Sequence, residues 1–391
     1  MCGIFGYIGH RNASSLLVKG LLRLEYRGYD SSGVVVKNGQ LQSYKDIGKI
    51  SEMATSLPDI KGSMGIAHTR WATHGGVTKE NAHPHLSNDG KVAIVHNGIL
   101  QNSDALRKRL KRAGVQLNSE TDSEVFCHYI AMALEEGKEP LEALQSVLSM
   151  ARGTWGVCVL FKEYDYVLCA RNGSPLIIGR GKDEMFISSD PHAIREHTDQ
   201  LVALEDGQIA KLDAHDFQVM QTDGQEVESH LLQLEEEWGE SELGEYPHFM
   251  LKEIHEQSQS LQHCISGRLR HAEGTSVLGG LQVQPQELAQ LPHVRLIGCG
   301  TALHAAQIGQ ILIEQWARIP AVSHVASEFN ANDPVINPNA LHLAISQSGE
   351  TADTLSAVKE IQRKGADVYG VVNVVGSSIA RQCGKGVYIH S

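Results

Sequence analysis

The residue of this sequence best placed to do chemistry is a cysteine beside the start of the chain, Cys2. Removal of Met1 gives Cys2 a free α-amine, whose usual pKa of about 7.7–8.0 makes it a base at neutral pH. The thiol then passes its proton to its own amine and attacks a carbonyl carbon, which is the chemistry of N-terminal nucleophile enzymes. Taken alone, a cysteine at this position is more often an inert packed thiol. The hypothesis of nucleophilic catalysis therefore depends on other motifs.

Two short polar turns in the second half of the chain have the composition of anion sites. Each follows an apolar run and precedes a helical pattern, and the candidate ligands are Cys299, Gly300 and Thr301 in one turn and Ser346, Gln347, Ser348 and Thr351 in the other. Free N–H groups and the dipole at a helix N-terminus favour an anion, and the hydroxyls add donors. A single turn of this kind is more often a packing turn, so the prediction of a phosphate site depends on the pair.

The histidines and cysteines do not indicate a metal site. The run His255–Gln259 departs from the H-E-x-x-H pattern, and His83 and His85 have no evident third ligand. The seven cysteines are odd in number, scattered, and include no C-x-x-C pair. We therefore expect no metal and no cofactor, and reduced thiols of the kind found in the cytoplasm.

The first half of the chain, which must position Cys2, is rich in short β patterns. Strands are predicted at Ile4–Ile8, Val34–Val36, Ile66–His68, Val92–Val95, Val157–Phe161, Tyr166–Ala170, Leu176–Ile178 and Met185–Ile187. Many short strands separated by Gly, Asn and Asp indicate mainly antiparallel sheets. Two helical stretches interrupt them, Ala13–Leu24 and Ser123–Leu134, the second preceded by N-cap residue types in Ser119–Asp122. We expect an α+β sandwich of antiparallel sheets with flanking helices.

The second half alternates buried strands with helices. Strands are predicted at Val294–Ile297, Leu341–Ile345, Val368–Val374 and Val387–His390, and helices at Ala302–Trp316 and Thr351–Lys364. This alternation is typical of an α/β doubly wound parallel sheet with sites at the carboxyl ends of its strands. The acidic segment Leu234–Glu242 suits a linker. The predicted domains are therefore 1–235, a linker with connecting helices over 236–285, and an incomplete α/β domain over 286–391.

Charge and hydropathy exclude two classes of partner. Lys and Arg number 34 against 46 Asp and Glu, for a net charge of −12, which repels a phosphate backbone and argues against general nucleic-acid binding. No apolar run approaches the roughly 18 residues of a membrane span, and the start lacks the basic flank of a secretory signal. We expect a cytoplasmic protein with no nucleic-acid and no membrane partner.

Six segments of the first half together resemble the class II glutamine amidotransferases, whose N-terminal cysteine hydrolyses glutamine. The segments that match the order and spacing of that family are Cys2–Gly6, Glu25–Ser31, His68–Gly75, Asn81–His85, His96–Gly98 and Ser119–Ser123. Each segment alone is compatible with an ordinary loop, but a chance occurrence of all of them in one sequence is very improbable. The resemblance implies the N-terminal-nucleophile fold for this half and glutamine as a substrate.

The resemblance also implies roles for individual residues. Asn97 and Gly98 correspond to the oxyanion hole that stabilises the charged intermediate, although Asn-Gly alone more often marks a tight turn. Arg70 and Asp122 correspond to the groups that hold the carboxylate and the ammonium of glutamine; their ordinary roles would be ion pairing and helix capping. The residues that resemblance places beside the same pocket are Thr73, His74 and Trp71, the last at the gate of an ammonia passage.

The second half resembles sugar isomerase domains, and the run Ser346–Thr354 resembles in particular the aminotransferases that use glutamine and fructose 6-phosphate to make glucosamine 6-phosphate. The resemblance implies a homodimer at full length. Ala302 and Asn330 depart from the Ser and Arg common in that family, which puts the sugar site in question. The chain also ends after one incomplete isomerase module where the family has two, so we expect a truncated protein that retains only the hydrolysis of glutamine.

Two other readings stay open. Amidotransferases that act on phosphoribosyl pyrophosphate or that make asparagine would need a phosphoribosyltransferase loop or an S-G-G-x-D-S loop, and the sequence has neither. A reading of another class is a sugar-phosphate-binding regulator with vestigial synthase function, which the departures at Ala302 and Asn330 support.

Overall fold

The computed structural model describes residues 2–72, 74–228, 232–233 and 245–389. The chain divides into two compact units, Met1–Trp238 and Gly239–Ser391, which we call unit 1 and unit 2.

Unit 1 is built on two antiparallel sheets. Its strands are β1 (Gly3–Ile8), β2 (Ser31–Asn38), β3 (Gln40–Ile47), β4 (Met64–Arg70), β5 (His85–Leu86), β6 (Val92–Leu100), β7 (Gly153–Phe161), β8 (Val167–Asn172), β9 (Ile177–Arg180), β10 (Met185–Ser188), β11 (Gln200–Ala203), β12 (Gln208–Leu212), β13 (Phe217–Gln221) and β14 (Leu232–Gln233). Among the described residues, one sheet has the order β14-β11-β9-β10-β1-β4-β2-β3 and the other β13-β12-β8-β7-β6-β5. All the pairings are antiparallel, as predicted.

Helices cover the outer faces of these sheets. They are α1 (Ala13–Leu24), α2 (Ile50–Ser56), α3 (Ser103–Arg112), α4 (Glu124–Glu135) and α5 (Pro140–Met150), with 3-10 turns at Glu25–Arg27 and Pro191–Ala193. Side chains of α1 and α2 pack on the eight-stranded sheet, and those of α3, α4 and α5 pack on the six-stranded sheet. The inner faces of the two sheets share a third core. Unit 1 is therefore a four-layer sandwich of helix, sheet, sheet and helix.

Side-chain alternation along β4 and β6 decides which residues face the inner core. Ile66 of β4 and Val95 of β6 belong to that core, whereas Ala67 faces α1 and Ile94 faces the other helical layer. Successive side chains in a strand point to opposite faces, so His68 and Asn97, each two residues further on, also point between the sheets.

The register of β1 places Cys2 beside the end of β4. β1 lies inside the eight-stranded sheet, between β10 and β4, and Gly3 pairs with Thr69. Cys2 therefore follows that register to the level of Arg70 and Trp71, at one end of the sandwich.

Unit 2 contains a parallel sheet with helices on it. Its strands are β15 (Leu269–Arg270), β16 (Thr275–Ser276), β17 (Val294–Gly298), β18 (Ala321–Val325), β19 (Leu341–Ser346), β20 (Val368–Val372) and β21 (Gly386–Tyr388). Its helices are α6 (Phe249–Ile265), α7 (Pro285–Leu288), α8 (Thr301–Leu312), α9 (Ala326–Phe329), α10 (Ala352–Arg363) and α11 (Ser378–Cys383), with a 3-10 turn at Gly279–Leu281 and a π turn at Ile313–Ala317. In the described part of this unit, the five-stranded sheet has the order β18-β17-β19-β20-β21, and every pairing within that sheet is parallel. The predicted fold class is confirmed for both halves.

Several elements differ from the sequence prediction. Unit 1 has α2, α3 and α5 in addition to the two helices expected. The edge strand β18 was not expected, since its side chains are mostly half-buried and form no continuous apolar run. The helix predicted over 302–316 is α-helical only to Leu312. The proposed linker segment Leu234–Glu242 and the end of the predicted strand at His390 lie outside the described residues.

No helix in the described ranges is both long enough and apolar enough to cross a membrane.

Candidate active site

The sulfur of Cys2 lies against the backbone that follows β4. The N–H of Trp71 donates to Cys2 Sγ at 3.3 Å, and the sulfur is 3.5 Å from the carbonyl oxygen of Trp71. Trp71 is held in turn because the N–H of Ala72 donates to Asp30 Oδ2 at 2.8 Å. The nucleophile predicted from the sequence is thus fixed by a strand register and by the segment after β4.

The surroundings of the Cys2 thiol favour its protonated form. Burial raises the pKa of Cys2 above its ordinary value, against the opposing effects of the Trp71 N–H and of the Arg70 charge. A protonated thiol is a weak nucleophile at neutral pH. The site therefore needs a base, and the α-amine that removal of Met1 would create is the base carried by the same residue.

Asn97 reaches the same place from the other sheet. Its Nδ2 donates to the carbonyl oxygen of Cys2 at 3.2 Å, across the gap between β1 and β6. This contact brings together two residues that are distant in sequence, as the catalytic hypothesis requires.

Asn97 and Gly98 do not form the tight turn that the Asn-Gly pair alone would favour. Both residues continue β6, where Asn97 pairs with Gly156 and Gly98 with Trp155. The pairing with β7 overrides the local turn preference, and Gly98 has a φ of 137° with Thr154 O so close that a Cβ would overlap it. Glycine is required here by the positive φ and by the close approach of β7.

Asp122 is positioned by backbone and by the start of α4. Its Oδ2 accepts the N–H of Leu100, the last residue of β6, at 2.7 Å. The N-cap of α4 is Ser123, which makes no side-chain capping bond, so the alternative role of Asp122 as a helix cap is wrong. The carboxylate of Glu124 holds the preceding loop by accepting the N–H groups of Asn118 and Ser119.

Arg70 ends β4 and points its guanidinium at the following loop. Its two terminal nitrogens donate to the carbonyl oxygens of His74 and Gly76, the latter at 3.1 Å. Burial lowers the pKa of Arg70, and the charges of Cys2, Asp30 and Asp122 oppose that effect. The carboxylates of Asp30 and Asp122 therefore favour the charged form of this buried guanidinium, which lies at the edge of the site.

The loop after β4 is the exposed wall of the site. Trp71 is exposed and its indole packs edge-on against Tyr29, with ring centroids 5.4 Å apart. The side chain of His74 is exposed while its carbonyl contacts Arg70. Glu120 Oε2 accepts the N–H of Gly76 at 3.3 Å and so ties the loop to the segment before Asp122. Thr73 lies outside the described residues.

A cluster of buried histidines lies behind these residues. The ring centroid of His83 is 4.2 Å from that of His68 and 4.5 Å from that of His85. Burial lowers the pKa of each ring, that of His68 to about 3. In the part of the chain that the structure describes, no group of His, Cys, Asp and Glu is arranged to hold a metal ion.

The two anion-site turns of unit 2 lie on neighbouring strands. β17 ends at Gly298, and Cys299 and Gly300 lead to the start of α8 at Thr301. β19 ends at Ser346, and α10 begins at Ala352 with Thr351 as its N-cap. Because β17 and β19 are parallel neighbours, both turns lie at the carboxyl edge of the sheet.

Hydrogen bonds shape the second turn around Ser346. Its Oγ accepts the N–H of Gly349 at 3.1 Å and lies 3.2 Å from Thr351 Oγ1. The N–H of Glu350 donates to Ser348 Oγ at 3.2 Å. Glu350 ties the turn to α11, because its Oε1 accepts the N–H of Ser378 at 2.7 Å.

Sequence reasoning missed the third turn at this edge. Ser377 precedes α11, which follows β20, the strand next to β19. Gly349 has a φ of 65°, and a Cβ there would overlap Ser377 Oγ. The signal was present as Gly376-Ser377-Ser378 after an apolar strand, the same pattern of strand, small polar residues and helix as in the other two turns.

Ala302 and Asn330, which depart from the family pattern, lie on different elements of unit 2. Ala302 is the second residue of α8. Asn330 follows α9, and its Nδ2 donates to Ser356 Oγ of α10 at 2.7 Å. Asn330 therefore supports the packing of two helices.

Comparison with known families assigns the same two halves. The family described as a glutamine amidotransferase domain matches residues 68–196, and the family described as a SIS domain matches residues 287–391. The fold resembles that of the glutamine phosphoribosylpyrophosphate amidotransferase of B. subtilis, with a TM-score of 0.50 and 19% identity over 99% of this chain and 90% of that chain.

Curated relatives match the whole chain. A glutamine–fructose-6-phosphate aminotransferase (isomerizing) of Bacteroides thetaiotaomicron is 44% identical over 100% of this chain and 65% of its own length. One from Thermus thermophilus is 42% identical over 100% of this chain and 64% of its own length. The chain thus spans about 65% of the length of these relatives.

Proposed function

We propose that this chain hydrolyses glutamine and that the complete protein directs the ammonia to fructose 6-phosphate. The premise is that the chain joins a glutamine amidotransferase domain to a SIS domain and is homologous throughout to glutamine–fructose-6-phosphate aminotransferases. The products of the complete reaction are glutamate and glucosamine 6-phosphate. The proposed domain limits are those expected from the sequence, 1–235 for the amidotransferase, 236–285 for the connection and 286–391 for the isomerase part.

Cys2 is the proposed nucleophile. The thiol passes its proton to the α-amine of the same residue as the sulfur adds to the side-chain amide carbon of glutamine. The carbon–nitrogen bond then breaks, and the leaving group takes up that proton and departs as ammonia. Water hydrolyses the resulting thioester, which releases glutamate and restores the thiol.

Asn97 and Gly98 are proposed to stabilise the charged oxygen of the intermediate. Preorganised donors of this kind are worth several orders of magnitude in rate, because they are already in place when the charge develops. The support is geometric: Nδ2 of Asn97 is within 3.2 Å of the backbone of Cys2, and β6 is held rigidly by β7 on the far side of Gly98.

Arg70 and Asp122 are proposed to recognise the α-carboxylate and the α-ammonium of glutamine. The support is that Arg70 is the last residue of β4, directly before Trp71, whose N–H contacts the sulfur of Cys2. Asp122 accepts the N–H of Leu100, three residues after Asn97 on β6. A carboxylate would replace carbonyl oxygens of residues 74 and 76 as the partner of the Arg70 guanidinium. Trp71, Thr73 and His74, on the same loop, are proposed to enclose the substrate.

The proposed phosphate site is the carboxyl edge of the parallel sheet. Its donors are the residues expected from the sequence, Cys299, Gly300, Thr301, Ser346, Gln347, Ser348 and Thr351. The helices α8 and α10 start beside these residues, and a helix start offers unpaired N–H groups and a favourable dipole to an anion. We further propose that the complete protein is a cytoplasmic homodimer that needs neither a metal nor a cofactor.

The observation that carries this proposal is the meeting of Cys2, Asn97 and the segment after β4 at one end of the sandwich. The test is the release of glutamate by chain 1–391, with and without fructose 6-phosphate, while mass spectrometry follows any amino sugar. A matched control keeps a tag in front of Cys2, which leaves the thiol but turns the amine into an amide.

Glutamate release by the untagged chain and its loss in the tagged one would support the proposal. A chain that binds the sugar phosphate and releases no glutamate would support the regulatory alternative. Full activity of the tagged chain would contradict the role of the terminal amine.

A further inference from the structure

One ring nitrogen in unit 1 lies between two hydrogen-bond acceptors. His68 Nε2 is 3.1 Å from the carbonyl oxygen of His96 and 3.0 Å from Asn97 Oδ1. A peptide carbonyl only accepts hydrogen bonds. Nε2 must therefore carry the hydrogen, and the neutral ring has its lone pair on Nδ1.

This tautomer decides which way the Asn97 amide faces. Its oxygen must point at the N–H of His68, so its nitrogen points at the carbonyl oxygen of Cys2, 3.2 Å away. The reversed amide would set two N–H groups against each other at His68 and two oxygens against each other at Cys2. Both contacts favour the same orientation, but the one at His68 is the one made by a fixed, fully buried side chain.

The environment of His68 keeps that donor in place. Its Nδ1 has no hydrogen-bond partner among the described residues, so the ring is held in the tautomer that serves Asn97 although this leaves a buried acceptor unsatisfied. Burial also lowers the pKa of His68 to about 3, which keeps the ring neutral at working pH. Within the described residues, Cys2 O is the acceptor given to Asn97 Nδ2, and the nitrogen carries a second hydrogen.

We propose that His68 is a positioning residue, which turns the Asn97 amide so that its Nδ2 hydrogens face the oxygen of the reacting amide. This inference depends on the proposed role of Asn97 in glutamine hydrolysis. His68 itself touches neither the sulfur nor the substrate in this account, and it acts only through Asn97.

The test uses two polar replacements that differ in where they put a donor. The amide nitrogen of glutamine can take the place of Nε2, whereas that of asparagine reaches only the place of Nδ1. In glutamate release by the full chain, H68N should lower kcat about tenfold with little change in KM, the size expected for one orienting hydrogen bond. H68Q should recover most of that loss. H342N serves as the control, since it replaces a fully buried histidine of unit 2 whose Nε2 lies 3.0 Å from the carbonyl oxygen of Asn337; its kcat should stay within about twofold.

A double-mutant cycle separates this inference from the proposed function. In an N97A background, H68N should lower kcat no further. Additive losses, equal losses in H68N and H68Q, or an unchanged kcat in H68N would each overturn the positioning role while leaving the nucleophile intact. An unchanged kcat in N97A alone would instead remove the oxyanion role on which the inference depends. Should H68N fail to fold, as judged by thermal unfolding, H68F replaces it as a ring of similar shape with no donor, with the same expected results.

Discussion

The two candidate sites are built from different parts of the chain. Around Cys2, the contacts are made mainly by side chains that meet across two sheets, such as Asn97 with Cys2 and His68 with Asn97. At the carboxyl edge of unit 2, the donors are mainly backbone N–H groups and short hydroxyls at the starts of two helices. A site of the first kind depends on the identity of each side chain, whereas a site of the second kind depends on the path of the backbone.

This difference predicts that departures from a family pattern have different consequences in the two units. A helix start keeps its N–H groups when a nearby side chain changes, as with Ala302 in the first turn of α8. The backbone offers no group that could replace the sulfur of Cys2 in the same way. Substitutions in unit 1 should therefore have larger effects than substitutions of equal size in unit 2, and the following four test that order.

The largest effect is expected from Cys2→Ala. Removal of the nucleophile should lower glutamate release by about 10⁴-fold or more. The control is Cys127→Ala, which removes a thiol buried in α4 that donates to Glu124 O at 3.1 Å. Measurable glutamate release from Cys2→Ala, or its loss in the control, would assign the chemistry to another residue.

The second effect is expected from Asn97→Ala. Loss of one donor to the oxyanion should lower kcat about 10²–10³-fold and leave KM nearly unchanged, because the donor acts in the transition state. Asn102→Ala is a matched control, since Asn102 makes two backbone hydrogen bonds, to Met150 O and from Arg152 N-H, away from Cys2. A change in KM alone for Asn97→Ala would show that this amide binds glutamine instead.

Arg70→Lys should have a smaller effect, and on KM. An ammonium cannot reproduce the two-pronged contact of a guanidinium with a carboxylate, and the loss of one charge-assisted hydrogen bond should raise KM for glutamine about 10- to 100-fold. Arg23→Lys is the control, because that residue forms an exposed ion pair with Glu196 at 2.6 Å. Equal KM values in wild type and Arg70→Lys would make Arg70 a structural residue of the loop.

The smallest effect is expected from Ser346→Ala. The hydroxyl is one of several donors at the turn, so the dissociation constant for fructose 6-phosphate should rise only about 3- to 10-fold by calorimetry. Ser356→Ala, which removes the acceptor of Asn330 on α10, should leave the dissociation constant unchanged. A loss of binding as large as the losses in unit 1 would end the distinction between the two kinds of site.

The sequence predicts elements best where one residue pattern controls both local and tertiary structure. It predicts a helix over Ala13–Leu24, and the structure has α1 at those bounds, because its apolar stripe is the face that packs on the sheet. It predicts no helix over Ser103–Arg112, where only Leu106 and Leu110 are buried. The other residues of that helix are mostly polar, so the sequence shows no clear helical spacing of apolar residues.

The features of the candidate site were likewise predictable only in part. The motifs predict that Cys2, Arg70, Asn97 and Asp122 act together, and the structure brings them to one end of unit 1; their roles in binding and catalysis stay predictions. The contact of His68 with Asn97 could not be predicted, since it depends on how two sheets stack. The positive φ of Gly98 could not be predicted either, because it depends on the pairing of β6 with β7.

The position of β1 between β10 and β4 has a consequence for hydrogen exchange beside Cys2. Segments next to a chain terminus commonly fray and exchange their amide hydrogens quickly. Here the segment next to Cys2 is an interior strand, whose amides should exchange only when the sheet itself opens. We therefore expect the backbone beside Cys2 to be as strongly protected as the centre of the sheet.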